Sequence, residues 1–295
     1  MKSGFIIVDK SVGFTSHDVV AIARKSLQER RIGHAGTLDP FATGVLVLGV
    51  GQGTRLLQYI TDGKKSYQGT IRLGSATTTD DLTGELISEN FAGLSAISDE
   101  EISNHLAAQV GEIYQRPSDY SAIKVNGRRA YELARAGIEV QLKERKVTIY
   151  SLIVEKIERD ESSIDIDISV ECSAGTYIRS IARDLGSALA VGGHLTSLRR
   201  VRVDPFSITD ANSINQLKEA PALLAIDDAI SRIFSRRTLS PEEVASVAHG
   251  RAINLEQQVA DGVNAAFTPD GRFIALLAEK GGRAQPILVI NGERS

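Results

Sequence analysis

Gly33-His34-Ala35-Gly36-Thr37-Leu38-Asp39-Pro40-Phe41-Ala42-Thr43-Gly44 is the most unusual stretch of this 295-residue chain. It carries no helical or strand periodicity, two glycines frame one histidine, and Asp-Pro follows. Gly33 and Gly36 permit positive φ and close backbone approach, while Pro40 pushes Asp39 toward an extended conformation. The segment is a stiff arm. Asp39 either opens a turn, as Asp before Pro often does, or projects a single carboxylate from a fixed position. His34 reads locally as an ordinary loop histidine.

Outward from this arm, strand and helix signals alternate with no repeat period, which points to a mixed α+β chain and not a solenoid. Residues 5–8 and 45–48 are short apolar runs. Ser16 with Val19, Val20, Ala23 and Leu27 reads as a capped amphipathic helix. Ser98-Asp99-Glu100-Glu101 is a capping box opening a helix to about residue 110, residues 164–169 alternate like a half-buried strand, and residues 176–189 read as another helix. Residues 76–97, acidic and without core periodicity, read as an exposed excursion. Near residue 235 the texture changes. Ser240-Pro241-Glu242-Glu243 starts a short helix that Gly250 stops, and runs at 263–267, 273–277 and 286–290 are separated by turn residues. The expected division is a domain over 1–235 and a β-rich module over 236–295.

Composition narrows the class. Hydrophobic residues make up 42% of the chain and charged residues 24%, ordinary for a soluble globular protein. No apolar run approaches a membrane span of about 20 residues, and the first apolar run meets Asp9 too soon for a secretory signal, so a cytoplasmic protein without membrane contact is expected. A single cysteine, Cys172, offers no disulfide or thiolate cluster. The formal net charge is −3, but its distribution is uneven: +5 over residues 1–75, −8 over 76–115 and +4 over 116–149. A polyanion responds to a local basic face and not to the sum over the chain. Gly49, Gly51 and Gly53 lack the lysine of a P-loop and the spacing of a dinucleotide fingerprint. The five histidines form no metal-ligand pattern. No cofactor and no metal are expected.

The 33–46 stretch closely resembles the catalytic motif of the TruB family of tRNA pseudouridine-55 synthases, GHxGTLDPxATGxL. Asp9-Lys10 with Gly13-Phe14-Thr15-Ser16 resembles the family's opening motif, and Lys65-Ser66-Tyr67 with Arg72-Leu73-Gly74 its tyrosine-bearing strand. The run from Tyr120 to Arg135, Cys172 to Arg179, and Gly193-His194-Leu195 to Leu198-Arg199-Arg200 follow in order. The C-terminal module is similar to the family's RNA-binding PUA-like domain, on sparser motifs. Ser11, Ala35 and Ser118 depart from residues common in the family.

The resemblance implies a pseudouridine synthase fold, with a mixed, largely antiparallel central sheet and a small C-terminal β-rich PUA-like domain. It implies isomerisation of one uridine in the tRNA T-loop. No guide RNA is expected, since the C-terminal extension is modest and basic tails are lacking, and a monomer is expected because no long apolar stripe is left unassigned. Asp39 would be the essential carboxylate, as nucleophile or as base; both routes place it beneath the ribose. Arg179 would pair with Asp39, Tyr67 would stack on the flipped base, and Tyr177 and Leu198 would contact substrate. His34 would fill the space that the extruded base leaves. Without the family, Tyr67 and Leu198 read equally as core and Arg179 as a solvated helix charge. Lys10, Lys124, Arg128 and Arg200 are candidates for RNA contact, with Arg129, Arg199 and Arg202 on the same phosphate-facing list. The competing reading is an RNA-binding or tRNA-folding protein whose chemistry is vestigial or secondary. A guide-dependent relative of the same fold is a third.

Overall fold

The computed structural model describes residues 2–121, 123–125, 127–138, 140–255 and 262–290. Its centre is a ten-stranded mixed sheet in which most neighbours run antiparallel. The main path runs through the strands Asn212–Ser213, Gly4–Lys10, Thr43–Val50, Gly193–Val203, Lys65–Leu73, Ile164–Cys172, Arg145–Arg159 and Gly111–Gln115. Two halves of this sheet meet where Thr43–Val50 runs parallel to Gly193–Val203. The ladder there pairs Arg199 with Thr43 and Arg200 with Gly44. The Asp39 arm leads directly into that seam.

Alternation explains which side chains reach the interior. Along Ile164–Cys172 every second residue is buried, and Lys65, Tyr67, Gly69, Ile71 and Leu73 share the buried face of the next strand. The helix Ile178–Ala188 covers this face with Ile178, Ile181, Ala182 and Leu185. On the other half of the sheet, the helix Ser16–Leu27 buries Val19, Val20 and Ala23 against Ile6, Val8, Leu46 and Leu48. Each helix sits on its own half, so the seam between the halves is left open at one end.

Several expectations change at the level of detail. Thr15, not Ser16, caps the first helix, in a reciprocal box with Asp18. Ser16 is thereby free for another task. Residues 32–35, expected as part of an irregular arm, form the strand Ile32–Ala35, antiparallel to Thr43–Val50. Four residues are too few for alternation to show. The acidic excursion forms a hairpin of Ser75–Thr77 with Leu86–Glu89, but its turn points inward: Asp81 is 4% exposed and bridges to Leu195.

The helix Pro241–Ala248 starts at an N-cap Ser240, and a separate five-stranded sheet begins at Arg236–Thr238. This sheet shares a core with the larger unit. Ala265, Phe267, Phe273, Leu276 and Leu288 pack in one cluster with Phe5, Ile7, Val45, Val47 and Phe206. Among the described residues, no helix is long and apolar enough to cross a membrane.

Candidate active site

The arm between the strands Ile32–Ala35 and Thr43–Val50 holds Asp39 with its side chain 34% exposed. Its neighbours in sequence are gripped. The Ser16 hydroxyl donates to the Leu38 carbonyl at 3.2 Å and accepts from the Leu38 amide at 3.0 Å. The Pro40 carbonyl accepts from the Gly13 amide at 2.9 Å and from Lys10 Nζ at 3.3 Å. The first loop therefore fixes the peptide on each side of Asp39.

Lys10 does this from full burial, with its ammonium also donating to the carbonyls of Phe14 at 2.8 Å and Ser11 at 3.2 Å. Burial lowers its pKa to about 8, against the opposing field of Asp39. This placement corrects its reading as an RNA contact: with no surface, Lys10 braces a loop. For Arg200, which lines the cavity beside Asp39, only the reading as a surface phosphate contact is corrected. It is 1% exposed and donates to the carbonyls of Val45, Thr37 and Gly36 at 2.7, 3.3 and 3.2 Å. It holds the arm from inside and offers no phosphate contact at the surface.

Arg179, at the start of its helix, stands beside Asp39. Its Nη2 donates to Oδ1 at 3.3 Å, and Nε lies 3.0 Å from Oδ2 without a hydrogen-bonding direction. The contact is an ion pair of loose geometry, unlike a two-bond fork, so Asp39 keeps acceptor capacity. Arg179 itself is fixed by the carbonyls of Thr79 at 2.8 Å and Tyr120 at 3.0 Å. Behind it, Asp81 Oδ2 lies 3.5 Å from Nη1. Asp81 Oδ1 accepts from the Thr79 hydroxyl and from both the amide and hydroxyl of Thr83. Sequence reading missed Asp81 because it sits in a polar run with no apolar period around it.

Asp39 and Arg179 border a cavity of about 270 Å³ whose other walls include Lys65, Tyr67, Tyr177, Leu198 and Arg200. That is below the roughly 300–1,000 Å³ of drug-sized ligand sites and suits one nucleoside. Burial raises the pKa of the Tyr67 and Tyr177 phenols, so both rings present neutral faces. Gln115 clamps Tyr177 by its backbone, accepting from its amide at 2.8 Å and donating to its carbonyl at 3.1 Å.

A second cavity of about 570 Å³ adjoins the first across Asp39 and is lined by His17, Asp81, Arg129, Tyr131 and Arg135 among others. His34 borders neither cavity. It packs edge-on against His17 with ring centroids 5.5 Å apart, and burial, followed by the field of His17, lowers its pKa. Lys124 and Arg128 are exposed on a short hairpin and have no carboxylate partner among the described residues. Arg199, by contrast, makes a two-bond fork to Asp9 at 2.8 and 3.0 Å, and Arg202 pairs with Asp204 at 2.6 Å. The described residues hold no group of three metal-ligating side chains.

Comparison with known proteins matches this sequence to one family. Residues 24–178 match the model described as TruB family pseudouridylate synthase (N terminal domain), and 234–291 the model described as tRNA Pseudouridine synthase II, C terminal. Residues 179–245 match a tRNA pseudouridylate synthase B C-terminal domain. The chain is similar to tRNA pseudouridine synthase B of Arthrobacter sp. (strain FB24), at 48% identity covering 98% of this chain and 97% of the relative. It is also similar to the protein of that name from Rhodococcus jostii (strain RHA1), at 50% identity over 98% of this chain and 94% of the relative. Among solved structures, a chain of an H/ACA RNP bound to a substrate RNA containing 2'-deoxyuridine shares the fold. The TM-score is 0.71 at 23% identity, covering 99% of this chain and 86% of that one. The chain belongs to the TruB family of pseudouridylate synthases.

Proposed function

We propose that this enzyme, a tRNA pseudouridine-55 synthase, isomerises the T-loop uridine by flipping it into the 270 Å³ cavity, with Asp39 as the essential carboxylate. The observation that carries this reading is a partly exposed carboxylate, 3.0 Å from a buried guanidinium, on the wall of a nucleoside-sized cavity that Tyr67 also lines. Flipping a base out of its stack costs a few kcal/mol, and stacking on an aromatic returns about 1–3 kcal/mol. Tyr67 supplies that surface. Asp39 then acts beneath the ribose, either bonding to C1' or removing a ribose proton, while Arg179 keeps it charged and aimed.

RNA is held by its backbone and shape. Lys124 and Arg128 have exposed, unneutralised charges and suit phosphate contact, whereas Arg199 and Arg202 are already paired. The relatives' name speaks for a tRNA substrate, and the T-arm is the part proposed to dock. The reaction neither oxidises the substrate nor adds or removes a group, so the proposal includes no cofactor; it also includes no guide RNA. The test is to incubate the purified protein with an unmodified tRNA transcript alone and map pseudouridine by sequencing. Modification confined to position 55 supports the reading; modification elsewhere, or only after a second RNA is added, overturns it.

A further inference from the structure

We infer that Lys65 and Arg200 form a cationic floor that stabilises the uracil ring as an anion while it is detached from the ribose. The inference rests on the synthase reading of the cavity and adds a charge-bearing role on the side facing the base.

The strand pairing builds the floor. Arg200 lies directly across from Tyr67, and Lys65 is two residues before Tyr67 on the same buried face. Both cations line the same cavity as Asp39. Lys65 Cε and Arg200 Nη1 approach one point from two sides, 3.7 and 3.8 Å from where a Cβ on Gly36 would lie.

Neither cation has a carboxylate partner among the described residues. Lys65, 6% exposed, donates to the Thr61 carbonyl at 2.7 Å and the Gly63 carbonyl at 2.9 Å. Arg200 donates to three backbone carbonyls and also hydrogen-bonds the neutral Tyr67 side chain, neither of which offsets its charge. Two adjacent buried positive charges without a counter-ion are costly, and evolution of a stable core would replace them or pair them. They make sense where an anion appears during turnover. Each also keeps donors in hand: an ammonium has three N–H groups and a guanidinium five.

The chemistry supplies such an anion. When the C1'–N1 bond breaks, its electron pair stays with the ring and spreads over N1 and the two carbonyl oxygens. The electron-poor C1' is met by a carboxylate oxygen of Asp39, or by loss of a ribose proton to it. The ring turns and C5 bonds to C1' as the Asp39 oxygen leaves it, or as Asp39 gives its proton back to the ribose; the C5 proton then leaves and N1 gains one, so the composition is unchanged. Negative charge is on the ring only between cleavage and rejoining. A fixed cationic floor therefore favours the transition state over the bound substrate and acts on kcat more than on binding.

The test compares single-turnover rates of C1'–N1 bond cleavage on a T-arm RNA with uridine at the target and on the same RNA with 5-fluorouridine, whose detached ring is a weaker base and which carries fluorine where the C5 proton would leave. Lys65→Met is predicted to slow the uridine RNA about 100-fold, the scale for losing one preorganised donor. The fluorinated RNA should lose tenfold or less, with RNA Kd unchanged, and Lys65→Arg should recover most of the rate. Lys65→Gln serves if Lys65→Met does not fold, since it keeps a donor for the Thr61 and Gly63 carbonyls. Equal slowing of both RNAs, or no slowing, overturns the floor. If native protein works and Asp39→Asn is inactive while Lys65→Met is unaffected, the floor alone fails. Full activity in Asp39→Asn would instead overturn the reading of the cavity.

Discussion

Arg179 stands between two carboxylates of opposite character: Asp39, 34% exposed and 3.0 Å away, and Asp81, 5% exposed and 3.5 Å away. One side of the guanidinium is anchored and the other faces the cavity. Asp81 and its threonines hold the arginine, so that the arginine can hold Asp39 without consuming its lone pairs.

The two carboxylates should separate stability from activity. Asp81→Ala removes the buried counter-charge and the acceptor of three donors, and is expected to destabilise the fold by about 3–5 kcal/mol and to depress turnover. Asp39→Asn, on the cavity wall, should change stability by less than about 1 kcal/mol. Urea unfolding midpoints of both variants check this; equal midpoints would remove Asp81 from the anchoring role.

Ser16 is the second test of positioning. Ser16→Ala leaves the buried amide and carbonyl of Leu38 without their shared partner, a loss of about 1–3 kcal/mol. Asp39, the next residue, loses its brace. The expected outcome is a single-turnover rate lowered tenfold or more with RNA Kd unchanged, assayed well below the melting temperature. An unchanged rate would mean that Gly13 and Lys10 suffice to hold the arm.

Gly44 has φ +102°, and a Cβ there would fall 2.1 Å from the Arg200 carbonyl oxygen. The seam between the sheet halves needs that approach. Gly44→Ala is expected to destabilise the chain by more than about 4 kcal/mol and to yield little folded protein; circular dichroism and thermal melting show whether it does.

Alkaline pH should move stability and activity in opposite directions. Burial holds Lys10 and Lys65 at about 8, below the 10.5 of an unfolded lysine. Between those values the unfolded chain binds more protons, so the contribution of these groups to stability rises as pH climbs from about 8 to 10. Turnover should fall across the same window as Lys65 loses its charge. Lys65 is surrounded by Arg200, which lowers its pKa, and by Cys172 and Asp62, which raise it. Lys65→Arg should therefore carry the alkaline limb of kcat to higher pH. A limb that stays in place in Lys65→Arg and moves in Lys10→Arg would assign it to the brace on Pro40.

Much of this site was legible because its chemistry is concentrated in sequence. Residues 33–44 announce a constrained acid, and the family resemblance named Arg179, Tyr67, Tyr177 and Leu198, which the fold brings around Asp39. Charge alone misled at Lys10, and at Arg200 as to phosphate contact, since a basic residue reads as surface until the carbonyls that bury it are known. Asp81 and Ser16 were hidden for a related reason. Their partners lie about 100 and 22 residues away in sequence, and no local pattern records a contact of that range. The C-terminal texture change lies near Arg236, where the smaller sheet begins, but nothing in it records the core that the sheet shares with Phe5 and Val47.

The most direct test of the central claim replaces Asp39 with Asn and measures pseudouridine at the T-loop uridine of an unmodified tRNA under single turnover, with RNA binding measured in parallel. The account predicts binding within about twofold of native and a rate lowered by at least about 10,000-fold, or about 5.5 kcal/mol. Native-like conversion by Asp39→Asn would contradict it.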